Sequence, residues 1–317
     1  MKFFCLLIRY KAMCDVFKKP GVLFLSFLTL FFSCHSPTDE QVQEEDTPTS
    51  GRVRVSVDES YHLIFENQVY TFTSFYPNAS VNVEYRSEKE ALQDLLEDSS
   101  KVAVLNRELS EEEKKAFAAR NIFPKSTKVA IDALALIIHP ENPDTCLSEE
   151  MLKKFIRGAG ENWPGRGTAP VVVFDNQGSA NARFMSDYAG IEAPGTGCFA
   201  ANGNLEVIEY VSKNKDALGI IGVSWVSDKD DTLSQSILKK IRVAGIRTEA
   251  GCFKPYQAYV ATKEYPLIRD VYMINRQTRA GLGTGFVSFV AGEKGQRMIK
   301  LQGMLPASIP VRIIRMK

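Results

Sequence analysis

Val171-Val172-Val173-Phe174-Asp175-Asn176-Gln177-Gly178-Ser179-Ala180-Asn181-Ala182-Arg183-Phe184-Met185 is the stretch on which the reading of this chain turns. Four apolar, mostly β-branched residues form a short strand. A polar turn centred on Gly178 follows, and Ala182, Phe184, Met185 and Tyr188 then recur at helical spacing. A strand, a glycine turn and a helix start together present free backbone N–H groups to an anion. Ser179 and Asn181 are helix-capping types that also offer side-chain hydrogen bonds. Arg183 falls in the first helical turn, where a cation opposes the helix dipole and a bound anion would favour it. The plainer alternative is a capped surface turn.

The chain before this stretch alternates strand and helix. Arg52 to Val57 has the period of two of a strand, and Leu63 to Phe75 the spacing of a helix. Val81 to Tyr85 is a second strand, and Ser87 caps a helix running to Asp98. Val102 to Leu105 is a third strand, after which Ser110 and Glu113 form a capping box. Such a β-α-β-α-β-α order argues an α/β fold with a parallel sheet, in which ligands bind beyond the carboxyl ends of the strands. Asp58 to Tyr61, Arg86-Ser87 and Asn106-Arg107 stand at those ends. Arg107 reads either as a ligand group or as a surface ion-pair arginine.

Lys128 to Pro140 is an apolar run of mixed period, read as an extended segment passing from one domain to another. Leu147 to Ile156 and Leu205 to Val211 read as helices. Ala217 to Val223, Ile241 to Ala244 and Tyr256 to Ala261 read as strands, as does the closing Val311-Arg312-Ile313-Ile314. Phe286 to Leu301 marks the last helices.

The 317 residues carry a net charge of +1, so no global field favours nucleic acid, and any anion affinity must be local. Lys18-Lys19, the apolar Gly21 to Ser33 and then Cys34 form a secretory signal, too short to span a bilayer and beginning at Met1 or Met13. Ser33-Cys34 resembles a bacterial lipoprotein processing site, which implies lipid attachment at Cys34. Ordinary signal cleavage and a retained transmembrane anchor are the alternatives. His35 to Ser50 is polar and acidic and reads as a disordered tether. Three cysteines fall after the leader, Cys146, Cys198 and Cys252. At most one disulfide fits, with Cys198–Cys252 the weakly favoured pair and free thiols the alternative. Of three histidines, His35 falls in the tether, His62 in the first helix, and His139 has no carboxylate or cysteine at useful spacing; with no G-x-S-x-G, this argues against a metal site or a hydrolase.

The order of several segments is similar to that of the periplasmic phosphate-binding proteins, the PstS-like solute receptors of ABC transporters. The segments are Asp58-Glu59-Ser60-Tyr61, Val102 to Leu109, Asp132-Ala133-Leu134-Ala135-Leu136-Ile137, Asn162-Trp163 and Gln177 to Asn181 with Phe184. Tyr265 to Tyr272 and the helix from Phe289 to Gly303 complete the set. The resemblance implies a type II periplasmic-binding-protein fold: two α/β lobes, two hinge crossings and a cleft holding a tetrahedral anion. It divides the chain into a signal peptide (1–34), a tether (35–50), lobe 1 (51–131), lobe 2 (132–225) and a return to lobe 1 (226–317). The implied phosphate ligands are Ser60, Tyr61, Ser87, Asn106, Arg107, Gly178, Ser179, Ala180, Asn181 and Arg183. The implied partners are inorganic phosphate or a related oxyanion, an ABC permease, and a bacterial membrane through the lipid. The protein is expected to be a monomer, without cofactor or catalysis. Two positions depart from the family pattern. Asp175 stands where an arginine pairs the phosphate, and Gln177 where an aspartate accepts the proton of hydrogen phosphate. Asp175 is itself a candidate acceptor, and its presence leaves another oxyanion, another small solute, or a sensor or adhesion role as alternatives.

Overall fold

The computed structural model describes residues 46–308 apart from residue 229. The expected signal, Cys34, most of the tether and the closing strand Val311-Arg312-Ile313-Ile314 lie outside the described residues. In chain order the first elements are β1 (Gly51–Asp58), α1 (His62–Phe75), β2 (Ala79–Arg86), α2 (Glu88–Leu96), β3 (Val102–Leu105), α3 (Glu111–Ala118) and β4 (Lys125–Ile138). Next come β5 (Cys146–Ser148), α4 (Glu149–Arg157), β6 (Val171–Phe174), α5 (Ala180–Ala189), β7 (Cys198–Ala200), α6 (Asn204–Lys213) and β8 (Ala217–Gly222). The chain continues with α7 (Ser224–Ser227), α8 (Thr232–Lys240), β9 (Arg242–Thr248), β10 (Gly251–Phe253), α9 (Gln257–Ala261), β11 (Ile268–Asn275), α10 (Leu282–Ala291), α11 (Glu293–Leu301) and β12 (Leu305–Pro306).

Local chemistry sets the first half of the sheet. Val53, Val55 and Val57 of β1 are buried on one face while Arg52 and Arg54 are exposed. β1 pairs in parallel with β2 and β3, with Val53 opposite Val81 and Val55 opposite Val102. Full capping boxes at Ser87 with Glu90 and at Ser110 with Glu113 start α2 and α3.

β4 then joins the two halves of the sheet. Lys125 to Ala133 pair antiparallel with β11, and Leu134 to Ile138 pair with β8, the last three of them also with β9. The strand order is β2-β1-β3-β11-β4-β8-β6-β7. Every residue of β4 from Ala133 to Ile138 is fully buried, so this stretch is apolar on both faces rather than alternating. At the point of change, Leu134 N donates to Leu267 O (3.0 Å), and the buried Tyr265 hydroxyl donates to Leu134 O (2.6 Å). The result is an α/β fold with a mixed sheet and flanking helices.

Some expectations from sequence shift. Tyr256 to Ala261 is not a strand: Gln257–Ala261 is the short helix α9, with Tyr256 as its N-cap. Tyr256, Tyr259 and Val260 recur at helical spacing, Val260 N donates to Tyr256 O (3.0 Å), and Val260 alone of the helix is buried. β11 had no sequence assignment, because the inward position Arg269 interrupts its apolar pattern. β9 pairs with β4 and β5, so the chain rejoins the first half of the sheet at β11, later than residue 226. At the other end, Asp46 accepts a hydrogen bond from Leu282 N (2.7 Å) at the start of α10, so residues 46–50 of the expected tether belong to the body.

The disulfide joins Cys146 of β5 to Cys252 of β10, both of which flank β9. Cys198 is the free thiol, half-buried in β7, and burial pushes it up to about 11. The pairing of Cys252 with Cys146 rather than Cys198 follows from the sheet, which places β5 and β10 on either side of one strand. A bridge spanning 106 residues stabilises the fold by about 4–5 kcal/mol through the entropy of the unfolded chain. Replacing Cys146 and Cys252 together by serine is expected to lower Tm by roughly 5–15 °C in a thermal melt. Cys198→Ser is expected to leave Tm within about 2 °C of the parent, and equal effects of the two changes would refute the pairing.

Candidate functional site

The carboxyl ends of β1, β3 and β6 and the start of α5 meet at a buried polar cluster. Asp58 ends β1, accepts from Ser60 N (2.9 Å) and so turns the chain back; Asp58, Ser60 and Tyr61 are all buried. Asp175 ends β6 and is fully buried. Ser179 caps α5, its hydroxyl accepting from Asn181 N (3.0 Å) and Ala182 N (3.3 Å) while donating to Asp175 Oδ1. Ser60 Oγ reaches Asp175 Oδ2 (3.4 Å) and Asn181 Oδ1 (3.5 Å), joining the turn after β1 to the turn after β6.

Gly178 has φ +74°, and a Cβ there would lie 3.4 Å from Lys89 Cβ and 3.7 Å from Ser87 Oγ. The left-handed turn is what calls for glycine here, since a Cβ would make only ordinary contacts with the start of α2. Ser87 caps α2, and its hydroxyl donates to Glu90 Oε2 (2.8 Å). Ala180 is buried as the first residue of α5.

Arg107 and Arg183 converge on one carboxylate. Glu88 is buried; its Oε1 lies 2.7 Å from Arg107 Nε and its Oε2 3.1 Å from Arg183 Nε. Arg107 also holds Glu113 in a two-pronged pair (2.7 and 2.8 Å). Arg183 reaches from α5 to Asn106 Oδ1 (2.6 Å) and to Asp187 (3.1 Å). Both arginines spend their charge on carboxylates at the rim of the cluster.

Two further residues stand inside it. Asp132 on β4 and Arg269 on β11 are opposite one another in the antiparallel ladder, and both are buried. Arg269 Nε donates to Asp132 Oδ2 (2.8 Å), and Nη1 donates to Asn181 Oδ1 (2.6 Å). The guanidinium lies 5.6 Å from the ring centre of Tyr61. In sequence alone Asp132 is part of an apolar crossover and Arg269 part of a C-terminal segment. A charged residue at an inward position of an apolar strand was the available signal for each.

A family described as the PBP superfamily domain matches residues 42–294. The chain belongs to the PBP superfamily. Among curated proteins, the phosphate-binding protein PstS of Borreliella burgdorferi is 22% identical over 299 residues, covering 90% of this chain and 96% of that protein. The Bacillus subtilis protein of the same name is 20% identical, covering 90% and 93%. Among solved structures, a protein from Clostridium perfringens, described as a phosphate ABC transporter substrate-binding protein with bound phosphate, superposes with a TM-score of 0.69. That pair is 21% identical and covers 81% of this chain and all of that one. An ABC-type phosphate transport receptor from Vibrio cholerae gives 0.62 at 18% identity, covering 81% and all of that chain. At these identities the structures establish the type II periplasmic-binding-protein architecture.

As a PBP-superfamily protein the chain is a solute-binding molecule rather than an enzyme. Among the described residues no group of three or more His, Cys, Asp or Glu is arranged to hold a metal. His62 stacks on Tyr85 (4.0 Å between centroids), and His139 Nδ1 accepts from Glu141 N (3.1 Å). No described helix is long and apolar enough to cross a membrane.

The electrostatics of the PBP cluster are acidic. Asp58, Asp132 and Asp175 share the interior with Arg269. Burial, then the charge of Asp175 and that of Glu88, pushes Asp58 up to about 7, against the pull of Arg269. Burial also pushes Asp175 up to about 6, opposed by the hydrogen bond from Ser179. Asp132 is raised by burial too, with Arg269 pulling it down. A carboxyl raised in the folded state binds more protons there than in the unfolded chain, so its ionisation destabilises the fold as pH rises. The apoprotein is therefore expected to lose stability between pH 5 and pH 8, by a few kcal/mol. Asp58→Asn is expected to flatten that slope in denaturant melts; a slope unchanged by the substitution would show that Asp58 carries no raised pKa.

Proposed function

We propose that this chain is an extracytoplasmic receptor for inorganic phosphate, serving the permease of an ABC-type uptake system. The observation that carries the reading is the convergence of Ser60, Ser179, Asn181 and Arg269 on one buried place between the ends of β1 and β6 and the start of α5. Hydroxyl, amide and guanidinium donors beside a helix N-terminus match a small tetrahedral oxyanion. The curated relatives named above as phosphate-binding proteins span most of this chain and support the same ligand.

In this reading residues 51–131 and the return from β11 onward form one lobe, and the residues between form the other. β4 is one hinge crossing, and the connection leading into β11 is the second. Tyr61, Ser87, Asn106 and the backbone from Gly178 to Asn181 line the cleft. Arg107 and Arg183 meet across its rim through Glu88, and closure on the solute is the working motion. Cys34 carries the lipid that holds a monomeric receptor to the membrane.

The buried carboxylates set the selectivity. Asp58 and Asp175 either hold protons or accept them from the ligand, which favours a proton-bearing phosphate over sulfate. Asp175 takes over the acceptor role that Gln177 cannot fill. The same excess of carboxylates supports a second reading, a solute with an amino or several hydroxyl groups.

Isothermal titration separates the two. Phosphate is expected to bind at least tenfold tighter than sulfate, and its affinity to weaken by roughly tenfold or more from pH 6 to pH 8.5 as Asp175 and then Asp58 ionise. No heat from millimolar phosphate at pH 6 would sink the phosphate reading in favour of the second.

A further inference from the structure

We infer that Arg269, presented from β11 and held by Asp132 of β4, is the residue that meets the charge of the bound oxyanion. The inference rests on the phosphate reading above and names the residue on which it depends.

The two arginines at the rim are committed elsewhere. Arg107 is taken up by Glu88 and Glu113, and Arg183 by Glu88, Asn106 and Asp187. The turn from Asp175 to Gly178 contains no cation. Arg269 touches the start of the Gly178 turn's own helix, through Asn181.

Its hydrogen bonding is incomplete. A guanidinium has five N–H donors in a fixed fork. Arg269 spends one at Nε on Asp132 and one at Nη1 on Asn181. Nη2 lies 2.8 Å from Asp132 Oδ2 as an ion pair, yet makes no hydrogen bond within the protein. Asn181 Nδ2 and Asn106 Nδ2 are likewise buried without a partner, as is the acceptor Asp58 Oδ2. Buried polar groups are ordinarily satisfied, because an unpaired one loses its hydration for nothing. Arg269, Asn181 and Asn106 thus offer unpaired donors, and Asp58 an unpaired acceptor, of the kinds that a small oxyanion bearing a hydrogen would satisfy.

Asp132 is a positioning residue in this arrangement. It fixes the fork through two contacts on one oxygen, while Nη1 turns to Asn181. Its own charge competes with an incoming anion, which gives the test a sign that a purely structural ion pair would not have.

The experiment is titration of inorganic phosphate into the full mature chain and its variants at pH 6, with Tm as a folding check. Arg269→Gln is expected to weaken binding by about 10- to 100-fold, and Arg269→Lys to recover part of the loss. Asp132→Asn is expected to tighten binding severalfold while lowering Tm; a structural pair would instead weaken binding along with Tm. The double change Asp132→Asn with Arg269→Gln removes both charges, so a fold that fails with one charge unpaired is tested without it. The double variant is expected to bind as weakly as Arg269→Gln. A folded double variant binding phosphate within threefold of the parent would overturn the inference while leaving the phosphate reading intact. A parent that binds no phosphate overturns that reading, and this assignment with it.

Discussion

The pairing of Arg269 with Asp132 sets the character of this molecule. Two opposite charges face each other in the ladder between β11 and β4, close to where β4 changes partners. A buried ion pair is a poor source of stability, since desolvation of both groups offsets most of their attraction. Two well-packed apolar residues would serve the sheet as well or better. The retention of charges there is intelligible if the guanidinium has a third task, and its contact with Asn181 at the start of α5 points to where that task lies.

The surrounding fold brings that task within reach. β4 joins the two halves of the sheet, so the β1 turn from one half and the β6 turn from the other arrive at the same place. The rim cluster of Glu88, Arg107 and Arg183 spans the same division on the outside. Interior and rim differ in exposure: Glu88 is buried, whereas Arg183 has a side chain 37% exposed, so part of the rim attraction is screened by solvent.

Much of this was legible in the sequence because it is local. The β1, β3 and β6 strands, the capping boxes at Ser87 and Ser110 and the glycine turn at 178 depend on neighbours within a few residues, and periodicity and cap chemistry report them directly. Ser60, Ser179 and Asn181 stand out in the sequence for the same reason, since each sits at the end of a strand or the start of a helix. What sequence could not supply is non-local. The partner of Cys252 depends on which strands flank β9, and the identity of the buried guanidinium on which residue of β11 faces β4. Arg107 and Arg183 drew attention as arginines near strand ends and glycines, yet their charges are met by acids from α2, α3 and α5. Asp175, a departure from the family pattern when read alone, is in the fold a buried acid hydrogen-bonded by Ser179 and Ser60.

The most direct test of the account is a crystal structure of the mature chain grown with inorganic phosphate near pH 6. One phosphate is expected between the β1 turn and the start of α5, within hydrogen-bond distance of Ser60, Asn181 and the Arg269 guanidinium. A phosphate held instead by Arg107 and Arg183 at the rim, with Arg269 still paired only to Asp132 and Asn181, would contradict it.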